Sequence, residues 1–142
     1  MNKKLTRVFI SYSHTDREAA RAIVDFLGRA GFSVWDQERE LLPGSDWTFE
    51  LKNALDSAEA LIVLISPQAL KSRSVSREID YALGAKHLRG RLIPVIVRPT
   101  KDVPWILEYC PQVQYQPTGE AFDRIVQLLK QPPYVPQAKR SA

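Results

Sequence analysis

Short, uninterrupted apolar runs alternate along this chain with longer stretches in which apolar residues recur at every third or fourth position. The run at 61–65, Leu-Ile-Val-Leu-Ile, is the clearest. It is β-branched and apolar on both faces, as a strand covered on either side by helices must be. Ser66 and Pro67 stop it. After a polar loop, Val75, Ile79, Ala82 and Leu83 recur at helical spacing, and Ser74, Glu78 and Tyr81 share the flank of that stripe. Such a flank holds a carboxylate half buried and points Glu78 toward a cleft.

The same periodicities organise the rest of the chain. Residues 7–11 predict a first buried strand that runs into Tyr12-Ser13-His14-Thr15-Asp16. Thr15 and Glu18 fit a capping box opening a helix whose face is Ala19, Ile23, Phe26, Leu27 and Ala30, and Gly31 stands where a left-handed C-terminal cap is wanted. A second strand is predicted at 32–35, then a long charged loop at 36–45 with Pro43-Gly44 near its end. Asp46 or Ser45 caps the next helix, whose inward face is Trp47, Leu51, Ala54, Leu55 and Ala58. Residues 92–97 predict a fourth strand, which Pro94, lacking a ladder donor, moves toward a sheet edge or a bulge. Short turns around Trp105 and Leu107, a weak strand at 113–115 and an amphipathic helix through Ala121, Ile125, Leu128 and Leu129 follow. One domain is expected over residues 1–131, with 132–142 a Pro-rich tail or linker to another domain.

Each gap between the main strands holds a helix and is long enough for a parallel crossover. The expected fold class is therefore α/β: a flavodoxin-like, open, parallel sheet of five strands with helices on both faces. Sheets of this kind bind ligands beyond the carboxyl ends of their strands, where strand order reverses between strands one and three. Those ends are Ser11-Tyr12-Ser13 and Ser66-Pro67, with Asp36 nearby and Glu78 at the rim.

Composition removes several function classes. With 142 residues, 44% of them hydrophobic, the chain supports a single core. A net charge of +4 invites nucleic acid, but the 20 basic residues are dispersed among 16 acidic ones, so a solvated basic surface is the better reading. Cys110 stands alone and His14 and His87 lack ligand spacing, so neither a disulfide nor a metal site is expected. Polar residues such as Thr6, Arg7 and Ser11 break up any export signal and no run spans a bilayer, which predicts a cytoplasmic location without membrane contact. Neither a dinucleotide fingerprint nor a Walker loop can be written from the glycines. A phosphate-accepting receiver domain needs an acidic cluster after strand one and an Asp after strand three, where this chain has Ser11-Tyr12-Ser13 and Ser66.

Several fragments, taken together and in order, resemble the Toll/interleukin-1 receptor (TIR) family over about residues 7–129: Val8-Phe9-Ile10-Ser11-Tyr12-Ser13, Gly31-Phe32-Ser33-Val34-Trp35-Asp36, Leu42-Pro43-Gly44, Leu64-Ile65-Ser66-Pro67, and Glu78 within Ser74-Val75-Ser76-Arg77-Glu78-Ile79. The short basic chain is most similar to bacterial members. The resemblance implies that Glu78 is catalytic in cleavage of NAD, here a substrate and not a resident cofactor, giving nicotinamide and ADP-ribose or a cyclic isomer. It implies that Ser11, Tyr12, Ser13, Asp36 and Ser74 contact the substrate. Leu42, Pro43, Gly44 and Trp47 would form an assembly loop touching a neighbouring TIR domain, so self-association is expected. Relatives often carry Trp where Ser74 stands, leaving Trp47 or Tyr81 to supply an aromatic surface. Each of these residues has a plainer reading. By periodicity alone Glu78 is a surface carboxylate paired with Arg77 or Lys71, Tyr12 and Ser13 cap the first helix, Asp36 forms a turn, and Phe9 and Trp35 are core. A non-catalytic TIR–TIR interaction module is the alternative function, and a base-exchanging or deoxyribosyl-transferring enzyme has less motif support.

Overall fold

The computed structural model describes residues 6–41, 43–44, 46–116 and 119–133. Its strands are β1 (Arg7–Ser11), β2 (Ser33–Asp36), β3 (Ala60–Ile65), β4 (Leu92–Ile96) and β5 (Val113–Gln114). They form one parallel five-stranded sheet in the order β2-β1-β3-β4-β5. The helices are α1 (Arg17–Arg29), α2 (Gln37–Glu40), α3 (Trp47–Ser57), α4 (Pro67–Lys71), α5 (Arg73–Gly84) and α6 (Glu120–Lys130). The expected α/β class and strand order are those observed, and among the described residues no helix is long and apolar enough to cross a membrane.

Strand alternation divides the core in two. Val8, Ile10, Ile62, Leu64, Ile93 and Val95 pack on one face against α1 and α6, through Ile23, Leu27, Ile125 and Leu129. Phe9, Leu61, Val63 and Ile65 pack on the other against Leu55 of α3, Ala69 of α4 and Val75 and Ile79 of α5. Every residue of β3 is buried, which is why its sequence is continuously apolar. The same alternation sends Ser11, two residues after Phe9, to the α5 side of the sheet.

Several local expectations give way to tertiary demands. No capping box opens α1: the Thr15 hydroxyl meets that of Ser13 at 3.2 Å, and the Asp16 side chain is engaged elsewhere. The buried stripe of α1 is Ala20, Ile23, Val24 and Leu27, with Ala30 exposed. The charged loop after β2 winds into the single turn α2, because the Asp36 carboxylate accepts the Glu38 N–H at 3.0 Å and caps it. The polar loop after β3 becomes α4, capped by Ser66 and opened by Pro67 at a position where no N–H is needed. Asp46 caps α3 by accepting the Phe49 N–H at 3.1 Å, while Ser45 and Leu42 lie outside the described residues, as does the tail from 134 onward. Trp47 is 53% exposed and not part of the inward face, and Leu83 is likewise exposed.

Pro94 does not place β4 at an edge, since β3 and β5 flank it. The Arg91 carbonyl and the Val97 N–H both bond toward β3, so the alternate positions 92, 94 and 96 face β5. Pairing with β5 begins only at Val95, so the imide nitrogen of Pro94 meets no acceptor there.

Gly31 terminates α1 with φ +96°, the Phe32 N–H reaching the Leu27 carbonyl at 2.9 Å and the Gly31 N–H reaching Gly28 at 3.2 Å. A Cβ there meets nothing within 4 Å, so the cost of adding one is purely conformational. Gly31→Ala is expected to lower unfolding stability by about 1 kcal/mol, read as a shift in urea midpoint; an unchanged midpoint contradicts the left-handed cap.

Candidate functional site

The polar ends of β1, β3 and β4 are tied together before any cleft is formed. The Ser66 hydroxyl donates to the buried Asp16 carboxylate, which also accepts from Arg98 Nε at 3.1 Å. A charge out of water needs such partners, and here they come from the residues that follow β3 and β4. Sequence inspection assigns Asp16 and Arg98 no role, because the residues that pair them stand far apart in the chain.

Glu78 lies in α5, on the helical flank its spacing predicts, but it is more deeply placed than half buried: only 3% of it is exposed. The Ser74 hydroxyl, one turn earlier, donates to Oε2 at 3.2 Å. Ser11 reaches the same carboxyl from β1, and its hydroxyl steadies the charged form without closing an aligned hydrogen bond. Burial outweighs both hydroxyls and raises the pKa of Glu78 above its ordinary value. Among the described residues no cation lies within ion-pair distance of this carboxyl, so neither Arg77 nor Lys71 partners it.

Beyond Ser74 opens a cleft of about 510 Å³ whose walls include Tyr12, Ser13, His14, Arg17, Glu38, Trp47, Ser72 and Ser74; Glu78 is not on the rim itself but stands buried behind Ser74. Tyr12 and Ser13, at the end of β1, therefore share a cleft wall with Ser74 of α5. Ser13 makes no side-chain cap; on the cleft wall its hydroxyl meets that of Thr15. The Tyr12 hydroxyl donates to Asp36 Oδ1 at 2.6 Å, and burial followed by that carboxylate pushes the phenol above the usual tyrosine range. Asp36 itself stands buried behind Tyr12, as the cap of α2, and Ser11 stands behind the wall beside Glu78. Pro43 and Gly44 are exposed on the approach to Trp47. Tyr81 turns away to donate to Asp56 at 2.6 Å, which leaves Trp47 and Tyr12 as the aromatic residues of the wall.

The sequence reading overlooks His14, Arg17 and Glu38. Arg17 Nε lies 2.8 Å from Glu38 Oε1, and His14 Nδ1 lies 3.5 Å from Oε2 of the same residue. The signal for Arg17 is its place one turn after the β1 loop, on the helix that begins at the cleft. Nothing local marks Glu38 until Asp36 is known to cap α2.

A model of the TIR domain family matches residues 8–129. The chain is 30% identical over 129 residues to the stimulator of interferon genes protein of Magallana gigas, covering 87% of this chain and 31% of that one. It is 29% identical over 108 residues to the 2' cyclic ADP-D-ribose synthase BtTIR of Bacteroides thetaiotaomicron, covering 74% of this chain and 37% of the relative. It thus spans about a third of the length of each. Among solved structures, a metazoan TIR-STING receptor from C. gigas, in complex with 2',3'-cGAMP, superposes with a TM-score of 0.74 at 28% identity, over 88% of this chain and 39% of that one.

Because the Glu78 pKa is raised on folding, the native state holds that proton more tightly than the unfolded chain does. The resulting stabilisation is complete below the unfolded glutamate pKa and is lost as pH climbs through the higher folded one. Glu78→Gln, which never ionises, is expected to gain stability relative to the natural chain across that window. Urea midpoints of both proteins measured from about pH 4 to pH 8 test this, and a difference that stays flat with pH rules it out.

Proposed function

The chain belongs to the TIR domain family, and from that premise we propose that it cleaves NAD at the bond between nicotinamide and ribose. The products are nicotinamide and either ADP-ribose or a cyclic ADP-ribose isomer. One observation carries this reading: a buried carboxylate, with no counter-cation among the described residues, accepts a hydrogen bond from Ser74 on the wall of a cleft at the point where strand order reverses.

The chemistry suits that arrangement. When the bond between the ribose carbon and the pyridinium nitrogen breaks, its electron pair leaves with nicotinamide, which becomes neutral. Positive charge then develops on the ribose carbon and ring oxygen. Nicotinamide departs from a cationic state, so little acid catalysis is required, and a fixed anion next to the ribose lowers the barrier by electrostatics and positioning. Glu78 supplies the anion. Ser74 and Ser11 orient it, Tyr12 and Ser13 line the nicotinamide and ribose end, and Trp47 offers a face for stacking. Water adding to the cation gives ADP-ribose and releases one proton, whereas attack by an adenine nitrogen closes a ring. A relative named as a cyclic ADP-D-ribose synthase supports the same bond cleavage.

A second reading is favoured by Trp47 and Phe49, large apolar residues exposed beside Pro43-Gly44. Such a cluster suits a non-catalytic TIR–TIR contact, and Ser74 stands where relatives often have a stacking Trp. The two readings combine if the loop of one protomer completes the cleft of the next.

Glu78→Gln is expected to reduce nicotinamide release by about 100-fold or more with the circular dichroism spectrum unchanged, and full activity in that variant refutes the catalytic assignment. In the natural chain the carboxylate is the working form, so kcat/KM should fall on the acid side with a midpoint above the usual glutamate range. Specific activity should climb with protein concentration as protomers assemble; a constant value across a wide dilution series indicates a self-sufficient monomer.

A further inference from the structure

The cleft wall brings together few charged groups, and they are unevenly used. Its permanent cation is Arg17, with the His14 ring beside it, and Arg17 also borders a second, larger hollow of about 700 Å³ on the far side of the β1 loop. A ligand that lies along the cleft from Ser74 toward the second hollow therefore passes the Arg17 guanidinium. That group is occupied from within the molecule: Glu38 Oε1 lies 2.8 Å from Nε, and the ring nitrogens of His14 lie 2.5 and 2.8 Å from Nη2. The Glu38 contact is close but poorly aligned, since Arg17 Nε has no acceptor in hydrogen-bonding geometry. Both side chains are part-exposed, at 37% and 31%, and solvent-accessible ion pairs of this kind are held weakly.

A dinucleotide brings two phosphates into this setting. Glu38 and Glu78 make the cleft unfavourable to anions unless a cation answers them. A guanidinium is suited to do so, because its planar fork engages phosphate oxygens in pairs. Resting on the reading of the cleft as an NAD-cleaving site, we propose that Arg17 holds the diphosphate of the substrate, and that Glu38 occupies this guanidinium until the substrate displaces it. Glu38 then acts as an internal competitor, kept in position by the Asp36 cap of α2 and by the Tyr12 bond to Asp36.

Two measurements test the assignment. In steady-state assays of the whole chain, the loss of kcat/KM caused by Arg17→Ala should be about tenfold greater for NAD than for nicotinamide riboside, which lacks phosphates. Most of it should appear in KM, with Arg17→Lys intermediate. Glu38→Gln should lower KM for NAD by about twofold to fivefold. Calorimetric titration with ADP-ribose needs no turnover and should show binding weakened at least fivefold by Arg17→Ala. Equal losses on both substrates, unchanged ADP-ribose affinity in Arg17→Ala, or no ADP-ribose binding by the natural chain would each overturn the proposal. If ADP-ribose binding depends on Arg17 while neither substrate releases nicotinamide, the diphosphate assignment stands and the glycohydrolase reading fails.

Discussion

Strand β1 is hydrogen-bonded on both sides, to β2 and to β3, and that placement governs the chemistry of the molecule. Because the chain continues to one side of β1 and later to the other, the segments leaving β1 and β3 diverge at their carboxyl ends and leave a space between them. Everything polar and buried in that region exists to line or close this space. Asp16, Ser66 and Arg98 bind the strand ends together, while Ser11 and Ser74 flank the Glu78 carboxyl. The apolar layers beneath are conventional; the cost of burying Asp16 and Glu78 is borne only here.

Of the three buried carboxylates among the described residues, Asp16 and Glu78 are handled in opposite ways. Asp16 receives a guanidinium and a hydroxyl, which suits a structural strut. Glu78 accepts a hydrogen bond from Ser74, stands beside Ser11 and meets no cation among the described residues, so no opposite charge offsets its ionised form. On the proposed reading, in which the substrate becomes more positive as it reacts, that difference would separate a scaffold carboxylate from a working one.

The architecture is legible in the sequence because parallel strands buried on both faces must be continuously apolar, and 61–65 can hardly be read otherwise. Glu78 is legible as well, since helical spacing fixes its flank once Val75 and Ile79 are taken as core. What escapes notice depends on partners distant in sequence. Thr15 and Glu18 have the form of a capping box, but Asp16 between them is claimed by Ser66 and Arg98, and the turn follows Asp16. Trp47 has the periodicity of a core residue and yet opens its helix at the cleft mouth. Arg17 and Glu38 become a pair only when α1 and the turn after β2 face each other. Periodicity records burial against the sheet, whereas these contacts cross the open end of the sheet, where no periodic signal exists.

The imide nitrogen of Pro94, turned toward β5, also bears on how the molecule behaves in a crowded solution. A foreign strand seeking to lengthen the β5 side of the sheet must find alternating donors and acceptors along β4, and at Pro94 it finds no donor. The ladder on that flank stops after Val95 and Ile96. One ring thus removes a donor from the part of β4 that β5 leaves uncovered, so a strand laid there meets a gap in the ladder.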